Sequence, residues 1–161
     1  MVTAALRIGA SIITGRHSQI VPYFTYGLRH WSRGAFVSSC VDCYESYRNG
    51  YVAAGALWQW AFTPDLASTI NVAYGRTVNA QINVPGFLEE GLGARPWMRA
   101  GVGLDLRVSR ADTVFVRATY TQFSYGAGAV TAVGFEPYSR TATTDYVVGA
   151  RFLVGFAPRP W

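Results

Sequence analysis

Fourteen arginines, no lysine and nine acids make up the charge of this 161-residue chain, leaving it at +5. Arg7, Arg29, Arg76, Arg99, Arg107, Arg117 and Arg151 stand singly among apolar residues, with Asp105 as the main acid near them. Arginines gathered in a stripe with aromatics would suit nucleic acid; scattered singly through alternating segments, they argue against that partner. The paired thiols Cys40 and Cys43 invite a metal reading, yet no second pair exists and His17 and His30 lie far off in sequence. Four zinc ligands are therefore hard to assemble. A redox pair of this spacing normally opens a helix in a βαβ unit, which nothing here resembles. A small loop disulfide in an oxidising compartment is the expectation, with no metal and no cofactor. Glu89 and Glu90 are adjacent, which splays their carboxylates apart rather than poising them for acid/base work. No serine or cysteine is placed with a histidine to form a triad. The chain does not read as an enzyme.

The segments that carry these arginines share one pattern. Met98, Ala100, Val102, Leu104, Leu106 and Val108 alternate with Arg99, Gly101, Gly103, Asp105 and Arg107. Successive strand residues point to opposite faces, so this run has one oily face and one polar or small face. Seven such strands are expected, at 2–14, 19–31, 50–62, 67–80, 96–108, 113–125 and 144–156. Each is long enough to cross a bilayer at a tilt. The third is the least regular, because Tyr51, Ala53 and Leu57 make its second face nearly as apolar. Charged residues are only 14% of the chain and aromatics 15%, a low charge for a water-facing domain. No apolar run approaches the roughly 18 residues of a membrane helix, so any membrane crossing falls to strands. The fold expected is a single-domain, all-β, antiparallel up-and-down transmembrane barrel with a polar interior.

The connections sharpen that expectation. They run short (15–18), long (32–49), short (63–66), long (81–95), short (109–112) and long (126–143). Outer-membrane barrels put short turns in the periplasm and longer loops outside. With the last long loop outside, the final strand ends in the periplasm and the first visible strand starts outside. An even-stranded barrel then implies an odd number of strands ahead of Met1; the alternative is a strand missed near 129–135. Residues 1–7 also lack the basic and apolar regions of a signal peptide.

The stretch PWMRAGVGLDLRVSRADTVFVRATYTQFSYGAG resembles the penultimate hairpin of bacterial autotransporter translocator barrels. DYVVGARFLVGF resembles the closing strand read by the outer-membrane assembly machinery, with Gly149, Phe152, Val154 and Phe156 matching that signal. The tail from Ala157 to Trp161 departs from it, since such chains usually stop at the aromatic. PYFTYGLRHWS and YESYRNGYVAAGALWQWAFTPDLASTINVAYG are similar to small porin-like and opacity-like outer-membrane proteins. The resemblance is good over about the last 65 residues and looser before them. It implies the bacterial outer membrane as location, with membrane lipid, lipopolysaccharide and the barrel-assembly machinery as partners.

On this reading the seven arginines and Asp105 face the lumen, which is either wet and anion-favouring or plugged by a side-chain network. Trp31, Tyr44, Tyr47 and Tyr51 would form one aromatic girdle, and Trp58, Trp60 and Phe62 the other. Three functions remain open: a passive porin-like or structural barrel, an autotransporter-type translocator with an upstream passenger, and a soluble lipocalin-like barrel with its oily face inward.

Overall fold

The computed structural model describes residues 1–34, 44–85, 88–109, 112–128 and 139–152. Nine strands form one antiparallel sheet: β1 (Val2–Gly9), β2 (Ile12–Gly15), β3 (Ser18–Gly34), β4 (Tyr44–Ala61), β5 (Leu66–Val84), β6 (Leu88–Leu92), β7 (Ala94–Arg107), β8 (Asp112–Tyr125) and β9 (Ser139–Phe152). No helix occurs among the described residues. The order is β1-β3-β4-β5-β7-β8-β9, with β2 also on β3 and β6 also on β5, so the chain is an up-and-down meander. All seven expected strands are present. The first is split into β1 and β2, and a short extra strand, β6, forms within the expected 81–95 connection, separated from β7 by Gly93.

Each interruption has a local cause. Pro22 has no N–H to donate, and the ladder between the first strand and β3 lapses beside it, between the Gly9–Tyr23 and Ile12–Ile20 pairs. The second interruption is a bulge on β5, where Gly50 pairs with Val78 but Arg48 with Gln81. The extra residue is accommodated at Asn79, which takes φ 49°, a conformation asparagine tolerates better than most residues. Opposite the bulge the partner strand breaks at Gly93 into β6 and β7. The Thr77 hydroxyl fills that gap, accepting from the Arg95 N–H at 3.0 Å and lying 3.1 Å from the Ser124 carbonyl.

The short turns carry their own staples. The Thr63 hydroxyl accepts from the Asp65 and Leu66 N–H groups, and Ser109 Oγ donates to Asp112 Oδ2 at 2.6 Å. These turns lie at one end of the sheet. The connections after β3, β5 and β8 leave from the other. Those expected to be long loops are shorter than expected, because β3 runs on to Gly34, β4 starts at Tyr44 and β5 with β6 extends to Val84 and Leu88.

The sheet curls. In a flat sheet β3 and β8 would stand four strand spacings apart, about 19 Å. Instead Arg29 Nη1 of β3 donates to Tyr125 Oη of β8 at 3.2 Å. The curl is not completed: β1 and β9 are the two edges, with no pairing between them, so the expected closed barrel is an open sheet here.

Candidate functional site: the packed inner face

Alternation sorts the side chains onto two faces. Leu6, Ile8, Phe24, Leu28, Val52, Trp58, Val72, Tyr74, Val102, Leu104, Val116 and Val148 are exposed on the outer face, Phe24 at 76% and Val102 at 60%. The inner face holds the core, and it is divided along its length.

Toward the long-connection end the inner face is aromatic. Trp31 stacks on Tyr47 at 4.5 Å between ring centroids, and Tyr51 stacks on Trp97 at 4.6 Å. Phe123 meets both Tyr51 and Trp97 edge-on, and Tyr47 leans on Tyr125. Tyr51 and Trp97 are 0% exposed. Neither Tyr51 Oη nor Trp97 Nε1 has a hydrogen-bond partner, so ring contact holds the pair. Arg29 is threaded through this layer at 5% exposure, its guanidinium 4.0 Å from the Phe123 ring centre. Such a cation is tolerated because its charge meets an aromatic face and a phenol. Tyr125 passes the chain on, donating to Asn49 Oδ1 at 3.0 Å.

Toward the short turns the inner face is polar. Arg117 Nη2 lies 3.3 Å from Asp105 Oδ1, and Thr69 donates to the other carboxylate oxygen at 3.3 Å. Arg99 Nε donates to Thr121, Tyr23 to Asn71, and Gln19 to Gln59. Arg7 sits over the Tyr23 ring at 4.1 Å. Arg107 continues the Arg99–Asp105 face but is exposed near the turns.

Four glycines make this packing possible. Gly27 is the direct cross-strand partner of Tyr51, Gly55 of Tyr23, Gly103 of Arg117 and Gly149 of Phe115. A Cβ on Gly27 would collide with the Tyr51 ring; on Gly55, Gly103 and Gly149 it would come within 2.6 Å, 2.9 Å and 2.7 Å of the partner side chain. Each large side chain lies flat in the space its glycine leaves.

Several expectations need correction. Tyr51, Trp31 and Tyr47 are not a rim girdle but the centre of the inner stack, because their register puts them on the Arg29 face. Trp58, Trp60 and Phe62 do lie exposed on the outer face. Arg76 is not inward: it shares the face of Val72 and Tyr74, four and two residues before it, and is exposed. Arg151 pairs in register with Thr113, and Phe152 with Asp112, on the backbone alone. Cys40, Cys43, Val154 and Phe156 lie outside the described residues, and Tyr44 is described only in its backbone. Among the described residues no group of three or more His, Cys, Asp or Glu is arranged to hold a metal.

No known protein family matches this chain, and neither a curated protein nor a solved structure matches it.

Proposed function

We propose that the protein is an outer-membrane barrel that does not conduct: a structural or anchoring barrel presenting its long connections at the cell surface. The observation that carries this reading is a continuous exposed apolar outer face backed by an inner face packed with aromatic side chains at one end and polar ones at the other. Water-soluble monomers rarely expose apolar patches beyond a few hundred Å², and here the apolar face recurs on β1, β3, β4, β5, β7, β8 and β9. A lipocalin-like barrel would have the reverse polarity, with valines meeting inside.

The height of the apolar face fits a bilayer. Val52 to Phe62 spans roughly 33 Å along the strand, which at a tilt of about 40° is about 25 Å, the usual height of an outer-membrane apolar band. Beyond Val52 the pattern inverts. Arg48, Gln81 and Glu89 are exposed, whereas Tyr47, Ile82 and Leu92 are buried. Strands that project into water behind a polar outer face would alternate in this sense.

An occluded interior is favoured over a pore by the buried stack of Tyr51, Trp97 and Phe123 with Arg29 beside it. The test is single-channel recording after reconstitution in a planar bilayer. The wild-type protein is expected to be silent, and the Tyr51→Ala/Trp97→Ala double variant to open ion-conducting events. Steady conductance in the wild type would remove the occluded reading, and failure to insert would remove the barrel.

A further inference from the structure

The outer face of β4 is low where its neighbours are tall. Gly50, Val52 and Ala54 follow one another along it, while β3 contributes Phe24 and Tyr26 and β5 contributes Tyr74 on either side. The result is an open apolar recess of about 800 Å³ that crosses the sheet from Leu6 and Ile8 of β1, over Val52 and Ala54, to Pro96 of β7. Arg76 stands at its upper rim, in direct register with Val52. Tyr26 also lines a second, separate recess that includes His30, Arg48 and Gln81. His30 and Arg48 are themselves cross-strand partners. Both arginines are exposed, and among the described residues neither guanidinium has a hydrogen-bonding or ionic partner. Glu89 borders the polar recess beyond Arg48.

An apolar recess with the Arg76 guanidinium at its rim, and Arg48 in the recess beside it, is complementary to one kind of molecule: an amphiphile with an anionic head. Guanidinium favours phosphate through paired, charge-assisted hydrogen bonds. The orientation agrees, since the cations lie where the outer face changes from apolar to polar, at headgroup level. Glu89 offsets part of the charge at the far end of the recess and places the phosphate on the Arg76 side. We infer that this recess holds one acyl chain of a phosphate-bearing lipid of the leaflet at the long-connection end, with Arg76 engaging its phosphate and Arg48 in the adjoining recess adding positive charge at the headgroup. The inference rests on the membrane reading above and names the lipid that such a barrel would retain.

Native mass spectrometry of the detergent-folded full chain tests it, with diphosphorylated lipid A as the probe and the same lipid stripped of phosphate as its control. Flotation with phosphatidylcholine vesicles is measured in parallel. Wild type should retain lipid A in preference to the dephosphorylated form, and inorganic phosphate should not displace it. Each arginine is worth about fivefold at a membrane surface, so Arg48→Ser/Arg76→Ser should weaken retention by roughly 25-fold. Val52→Trp, which fills the recess floor and leaves both cations in place, should also lower retention while flotation persists. Equal retention of both lipids by a protein that floats would overturn this inference alone. Displacement by inorganic phosphate would reduce the site to an anion site. Loss of flotation in the wild type would overturn the membrane reading itself.

Discussion

At the scale of single residues, the inner face works by pairing something large with nothing. Tyr51 across from Gly27 is the sharpest case, because the ring occupies the volume a Cβ would need. Gly27→Val should therefore destabilise the protein by about 1–3 kcal/mol, the usual cost of overpacking. Urea unfolding of Gly27→Val, Tyr51→Ala and the double variant measures it. The two changes should be clearly non-additive, with Tyr51→Ala relieving the clash; simple additivity would mean the pairing is not what the glycine serves. These pairs were half-visible in the sequence. Gly27, Gly55, Gly103 and Gly149 stand out as small residues in alternating strands, but which side chain lies over each depends on cross-strand register. Tyr51 was the harder residue, because it flanks an apolar strand on both faces and an aromatic near a strand end suggests a rim. Arg76 failed for the opposite reason. Its period put it outward with Val72 and Tyr74, whereas its charge argued for the interior; the period was the better guide.

At the scale of strands, one irregularity on β5 governs the long-connection end. Up to Thr77 the inward residues of β5 are odd-numbered, and after Asn79 they are even-numbered, Ala80 and Ile82. One bulged residue thus turns the outer face from apolar to polar while keeping the interior packed. Asn79→Gly should be nearly neutral because glycine adopts a positive φ freely. Asn79→Val should lose about 1–2 kcal/mol or shift the register. Amide hydrogen exchange across β6 would read the difference, and equal protection in the two variants would show that the bulge does not depend on residue 79. This irregularity also explains why the seven strands were legible only over their apolar-out lengths. Beyond them the alternation continues in the inverted sense, with Tyr47, Ile82 and Leu92 inward. Polar outward residues and intervening glycines there resemble a loop until the register is known.

At the scale of the whole molecule, the two faces have opposite tolerances. If the outer face meets lipid, Val102→Arg near mid-height costs about 2–4 kcal/mol and should block assembly. Arg117→Ala, by contrast, removes one partner of Asp105, leaves the Thr69 hydrogen bond in place, and should leave assembly intact. Heat-modifiable migration of the two variants after folding into vesicles distinguishes them; equal folding of both would mean the apolar face is not bilayer-facing. The interior contacts also order events in time. Neighbours in the meander are consecutive in the chain, so hairpins can form early and independently. The bridge from Arg29 to Tyr125 joins residues 96 apart in sequence, and closing so large a loop is entropically expensive and slow. Until β8 arrives, Arg29 has neither its phenol nor its Phe123 ring, and remains a solvated cation on an unfinished sheet. The burial of that single charge is therefore a late step, and the curl that encloses it should be the rate-limiting part of folding.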